Sequence, residues 1–493
     1  MIKINHSLTP QKLQRKIERL FELSGPKILD IERTWDSTKG TPVFTVRGRY
    51  TSRGWTEWTQ GFQFGSAILQ FDATGEGQFL KIGRRKTVDL MAPHLSHIGV
   101  HDHGFNNVST YGNLLRLMLE ERIPFNGWEK SFYELALKLS GAVQAARWSR
   151  ISPASRTLLP SPLARAGGHN PRGYIYTFNG PHSLFADTIR SLRSLALAHQ
   201  LGHALMGEGD RKISLLERLV WHADTTAAHN VYYGEGRDAY DVRGRVAHES
   251  IFNMNDGNYR CPNSQQGYSP FTTWTRGLAW IICGFAEQLE FIASRPEEEF
   301  EPWRMPEPQP MVLREEGRSL RSYSYTGGQL PVAAMMLRAA RATADFYIEN
   351  TPTDGVPYWD TGAPGLAKLR NHLDKPADPF NNHEPVDSSA AAIAAQGLIR
   401  LGKYLGGHDG HRYYQAGLTV ANTIFSEPYL STKATHQGLL LHSIYHRPNG
   451  WDYVPPGSKI PRGESSMWGD YHARELALLL LRLAKGQKYL RFF

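Results

Sequence analysis

A chain of 493 residues, 41% apolar and 21% charged, can bury a large core without disulfide or metal staples, and its length fits one large domain or about two to three ordinary ones. Its two cysteines, Cys261 and Cys283, allow one bridge at most, which excludes a disulfide-framed scaffold and points to a reducing, cytoplasmic setting. The net charge of +9 suits an acidic partner, but the longest basic cluster is Arg84–Arg85–Lys86, so a nucleic-acid arm is not expected.

The N-terminus has no uninterrupted apolar run of signal-peptide type, and LALLLLRLA near the C-terminus is too short to span a bilayer. No membrane partner is expected. Thr9 and Pro10 open a first helix, Thr9 as its cap and Pro10 at its first position, with Leu13, Ile17, Leu20 and Phe21 on one face. The alternation in VFTVRGRY predicts a strand within 43–90; the rest of that stretch, with Trp55, Trp58, Phe62 and Phe64 among glycines, has no clear period. Helical spacing then recurs at 110–121, 129–146, 185–199, 215–230, 277–293, 331–349, 388–405, 411–425 and 474–484. Long Gly-, Pro- and Asn-rich loops lie between, and 151–180 and 295–325 read as insertions. Loops of that length usually carry function. No sequence repeat marks a solenoid. The pattern predicts one all-α domain over 1–493, with paired helices in a toroid and its loops forming a cleft at one end.

Three loop-to-helix junctions carry candidate chemistry. His101-Asp102-His103-Gly104-Phe105 places a carboxylate between two histidines; it can be read as a metal site, a held catalytic carboxylate or a capped turn. Asp187 sits in the first turn of an apolar helix, where a plain dipole partner is the simplest reading. Arg276 and Trp280 share a helix face at i and i+4, a pairing suited to a carboxylated sugar, or to a Trp packed on an Arg stem.

Further ordered phrases join these: WTQGFQFG at 58–65, QGYSPFTTWTRGLAW at 266–280, VPYWDTGAPG at 356–365, PVDSSAAAIAA at 385–395 and SSMWGDY at 465–471. Together they resemble glycoside hydrolase family 88, the unsaturated glucuronyl hydrolases, over nearly the whole chain. The resemblance implies an (α/α)6 barrel of six helical hairpins, Asp187 as proton donor and Asp102 as its partner. It implies substrate contacts from His248, Gln266, Arg276, Trp280, Trp58 and Tyr471, and neither a metal nor an organic cofactor. The implied substrate is an oligosaccharide left by a polysaccharide lyase, ending in a 4,5-unsaturated uronic acid; the basic charge suggests an acidic, sulfated neighbouring sugar. Leu278 stands where the family has Gln. A family 105 rhamnogalacturonyl hydrolase, a metal-dependent phosphohydrolase and a non-catalytic sugar-binding protein are the alternatives. Two expectations follow for the chemistry: that the Asp102 charge raises the Asp187 pKa, and that Asp256 and Asp360 are the next carboxylates to consider.

Overall fold

The computed structural model describes residues 1–54, 57–159, 170–303 and 328–489. Trp55, residues 160–169 of the first expected insertion and 304–325 of the second lie outside the described residues.

Six helical segments close into an inner ring, in the order Gln60–Thr74, 103–119, 188–200, Thr275–Ala293, Ser388–Leu405 and Met467–Ala484, the last packing back on the first. Outside them run Pro10–Thr34, Gly77–Leu90, Gly127–Ala146, Leu215–His229, Gln329–Glu349 and Gly407–Ile424, each alternating in sequence with an inner helix. This is the (α/α)6 barrel.

The sequence explains the layering. Inner helices contact neighbours on every side, so they are apolar or small all round: every residue from Thr275 to Ile292 is buried. Outer helices keep a solvent face, as Pro10–Thr34 does with its buried Leu13, Ile17, Leu20 and Phe21. Thr9 caps that helix as expected, its side chain accepting from the Lys12 N–H. Among the described residues no single helix is long and apolar enough to cross a membrane.

Three inner segments differ from their sequence reading. The segment expected at 110–121 begins at His103 and passes through a wide π-type turn at Val108–Gly112. Such widened turns cost backbone regularity and often mark functional sites. The helix expected at 185–199 is broken: Ser183–Phe185 is a strand, and helix runs over Thr188–Ser191 and Arg193–Gln200. The last helix starts at Met467, seven residues early, because Ser466 caps it by accepting from Gly469 N–H. The ambiguous stretch 43–90 becomes a hairpin, Phe44–Val46 with Arg49–Thr51, followed by two helices. Arg47 and Gly48 both take positive φ in its turn, the backbone a tight hairpin needs.

Inside the ring lies a cluster of buried charges. Arg190 reaches Glu287 at 3.0 Å and Glu475 at 2.9 Å, and Arg400 reaches Glu290 at 2.7 Å. These pairs join four inner helices below the cavity. Their net stabilisation is small, but their mutual satisfaction fixes how the helices register.

Candidate active site

The beginnings of all six inner helices gather at one end of the barrel. Trp58, Asp102, Asp187 and Trp274 each lie at or just ahead of an inner-helix start and line a cavity of about 400 Å³. Asp387 caps a fifth helix and grips Arg276 at 2.9 Å; Trp468, opening the sixth, stacks on Trp58 at 5.1 Å. Helix N-termini carry partial positive charge, so their convergence favours an anionic ligand.

Close backbone approach sets the position of Asp102. A Cβ on Gly104 would fall 2.0 Å from the Ser191 carbonyl oxygen, so only glycine lets the Asp102 helix lie against the Asp187 helix. Asp187 is fixed from the other side. The Phe185 strand pairs with Glu249, and Ala186 N–H donates to the His248 carbonyl at 2.8 Å, which places Asp187 beside that histidine.

His101 stands between the two aspartates. Its Nε2 lies 3.3 Å from Asp187 Oδ2 and 3.7 Å from Asp102 Oδ1, and all three residues are buried. Burial alone would raise the Asp187 pKa, but the hydrogen bond and charge of His101, with His248 adding to them, hold it below the usual carboxylate range. Asp102 is the reverse: burial first, then the Asp187 charge, raise it despite His101. His101 itself is raised, because the two carboxylates outweigh its burial. The expectation that Asp102 raises Asp187 is therefore corrected. The histidine on the shared edge takes the larger part, and its partner Asp102 is the carboxyl held up.

The other expected residues divide. Gln266 and Trp280 line the cavity, Trp280 braced by Phe105 at 4.9 Å between ring centres. His248 lies behind the wall, its ring against Phe185 and Trp274 at 4.6 Å. Its Nδ1 accepts from the Gln265 and Gln266 N–H groups, so the proton of the neutral ring sits on Nε2; burial lowers its pKa to about 4. His103 turns away to Ser140 and the His97 carbonyl.

Three assignments need correction: His248 is absent from the cavity lining, and Arg276 and Tyr471 are engaged elsewhere. Arg276 borders the cavity, but its terminal nitrogens are already taken: NH1 by Asp387 and the Ile444 carbonyl, NH2 by Gln266 Oε1 at 2.8 Å and the Tyr445 carbonyl at 2.7 Å. Flanked by Trp274 and Trp468, it is a clamp for the wall. Tyr471 does not reach the cavity. Its hydroxyl accepts from Asn113 at 3.1 Å and donates to Glu475 at 3.4 Å in the core, because WGDY serves the inner helix. Tyr471→Phe is expected to cost about 1–3 kcal/mol of stability, since two buried hydrogen bonds are lost, and to leave KM unchanged; thermal unfolding and steady-state kinetics check both.

Leu278 is buried in the core, so the change from Gln leaves the cavity lining intact. Asp360 is buried too, accepting from Tyr268 and Gly362 N–H, with its pKa pushed up to about 6 by burial; Asp256 caps an exposed turn. Neither lines the cavity.

Sequence reasoning missed the opposite wall. Tyr445, His446 and Trp451 line it, held by Asp452, which accepts from the Tyr445 and His446 N–H groups at 2.5 and 2.9 Å. The Asn449-Gly450 turn between aromatics was the available signal. Phe178, inside the first expected insertion, stacks over His101 at 5.9 Å.

His101, Asp102 and Asp187 also bring donor atoms within 4.8 Å of one another, close enough to consider a cation. Arg147 and the buried histidines 222 and 248 surround them with positive or neutral groups, which suits proton sharing better than a divalent ion.

An unsaturated glucuronyl hydrolase of Formosa agariphila is 25% identical over 421 residues, 85% of this chain and 78% of that protein. Its sequence relatives carry the name unsaturated glucuronyl hydrolase, which supports the resemblance to glycoside hydrolase family 88. No family model matches it. The solved unsaturated glucuronyl hydrolase of Bacillus sp. GL1, responsible for degradation of glycosaminoglycan, superposes with a TM-score of 0.64 at 19% identity, covering 97% of this chain and 99% of that one. A second solved structure, a variant bound to dGlcA-Glc-Rha-Glc, has a TM-score of 0.65 at 19% identity and covers 98% of this chain and 99% of that one. These likenesses extend the shared barrel over nearly the full length of the chain.

Proposed function

We propose that the chain is a glycoside hydrolase that removes a 4,5-unsaturated uronic acid from the non-reducing end of short, lyase-generated acidic oligosaccharides. The observation that carries this is the His101-bridged pair Asp102–Asp187, buried in an aromatic cleft where inner-helix N-termini converge.

The unsaturated sugar is a vinyl ether, so the reaction differs from direct displacement at the anomeric carbon. Asp187 protonates C4, and the positive charge develops at C5, shared with the ring oxygen. Water adds at C5 and gives its proton to the Asp187 carboxylate. The resulting hemiketal opens to a ketone, C1 becomes a hemiacetal, and the remaining sugar leaves as an alcohol. Trp58, Trp280 and Trp451 offer faces for the sugar, and Gln266, fixed by Arg276, offers an amide. The substrate carboxylate is favoured by the helix dipoles, since Arg276 is committed to the wall.

The net charge of +9 is not gathered at this site. Among the described lining residues Arg276 is the single Lys or Arg, and its terminal nitrogens are occupied. Binding of the neighbouring sugar therefore rests on stacking rather than on sulfate pairing.

The test follows vinyl-ether absorbance with matched unsaturated and saturated glucuronides. Loss of absorbance and sugar release are expected with the unsaturated compound alone, and unchanged after dialysis against a chelator. Equal hydrolysis of both compounds would exclude the mechanism, and activity restored only by a divalent cation would favour a metal site.

A further inference from the structure

If Asp187 is the acid, as the proposed function requires, its surroundings set a problem. The group that must deliver a proton is the one held as an anion, because His101 donates to it. The proton is not lost from the site. His101, its own proton affinity raised, is the neighbouring holder, and a second carboxyl with raised proton affinity lies 3.7 Å from the same nitrogen.

We propose that His101 is a positioning residue that recharges Asp187, passing it a proton through Nε2 and drawing the replacement from Asp102. In the first step the Nε2–H bond breaks and an Asp187 Oδ2–H bond forms across the 3.3 Å contact. The freed lone pair on Nε2 then accepts the Asp102 proton as the 3.7 Å contact closes. One N–H and one O–H bond break, one O–H and one N–H bond form, and no co-reactant is needed. The trigger is the substrate carboxylate: a second anion in the cleft raises the proton affinity of Asp187 and pulls the proton off the ring.

Everything packed around His101 bears on this. The two carboxylates stabilise its cation, and the Arg147 guanidinium opposes it. His222, also within electrostatic reach, is kept neutral by burial at a pKa of about 3, and His248 by burial at about 4. Phe178 stacks on the ring and Phe185 meets its edge at 5.6 Å, excluding water from the face. Sequence placed His101 beside Asp102. It did not show that its nitrogen lies between two carboxylates 85 positions apart in the chain.

The experiment is the pH profile of kcat/KM for the wild-type chain, His101→Asn and His101→Gln on one unsaturated disaccharide. In the wild-type enzyme the reactive proton is lost when the His101–Asp187 unit loses it, so the alkaline limb follows a raised histidine. Without the imidazole the proton is held by the carboxyl pair alone, which ionises at lower pH. The alkaline limb should then move acidward by about one unit or more, and activity at pH 7 should fall about 10²-fold, recovering in part near pH 5. KM should change less than about threefold, since the His101 ring is fully buried with its Nε2 engaged by the two carboxylates. A uniform drop at every pH with the limb in place, in both variants and with both folded by circular dichroism, would overturn the relay. Wild-type failure to consume the substrate would instead sink the proposed function.

Discussion

Asp187→Asn is expected to lower kcat on an unsaturated disaccharide by about 10²–10⁴-fold, at the high end of that range, because carbon is protonated slowly without a positioned acid. The protein should remain folded. Asn has nearly the same shape, and Asp187 gives up no helix cap, since its side chain makes no capping bond to Thr188–Ser191. The alternative of a plain capping aspartate, which would leave activity intact on replacement, is therefore removed by the geometry. Asp187 Oδ1 is buried with no hydrogen-bond partner, so one amide group can enter without displacing an existing bond. Loss of the carboxylate also removes the main partner of His101, whose pKa should fall. Asp102→Asn should lose activity as well, but by a different route: the reserve proton goes, while the His101–Asp187 contact stays. Absorbance at the vinyl-ether band measures the rates, and thermal unfolding reports the fold. A folded Asp187→Asn protein turning over at near wild-type rate would remove Asp187 as the acid. The search would then move to Asp102, the other carboxylate at the closed end.

The helical succession and the ordered phrases of the chain carried the barrel, because inner and outer helices leave different burial patterns that a period of 3.6 residues records. The start of the 188–200 segment was not legible. Ser183–Phe185 is apolar enough to continue a helix, and the strand pairing that claims it comes from Glu249, far along the chain. The site shows the same limit. Asp102 and Asp187 could be named from local wording, and the structure brings them together. The direction of their proton affinities could not, since it depends on one imidazole nitrogen seated between them. Tyr471 went wrong for a related reason. A specific phrase such as WGDY marks a constrained position, and here the constraint is packing: Asp470 accepts from Leu439 and Leu440 N–H and from Tyr50, tying a loop to the last inner helix.

Arg276→Ala is expected to act on stability first. Read from sequence, this arginine binds the substrate carboxylate, and its loss would raise KM in an otherwise sound protein. In the structure it is almost fully buried, ion-paired to Asp387, and bonded to Gln266 and to the carbonyls of Ile444 and Tyr445. Removing one partner of a buried pair leaves the other charge uncompensated, at a cost of about 3–5 kcal/mol. Some of this is softened because Asp387 also accepts from Ser389 and Ala390 N–H as a helix cap. The loss should be visible as a lower thermal midpoint and should be shared by Asp387→Asn, although Asp387 does not line the cavity. Activity falls in both variants for one reason: Gln266 loses its anchor and the wall carrying Tyr445 and His446 is released. Arg276→Lys should rescue little, since one ammonium cannot make the two-pronged set of bonds that the planar guanidinium makes. If Arg276→Ala keeps the wild-type thermal midpoint and only KM rises, the arginine is a substrate ligand after all, and its four contacts in the wall open when substrate binds.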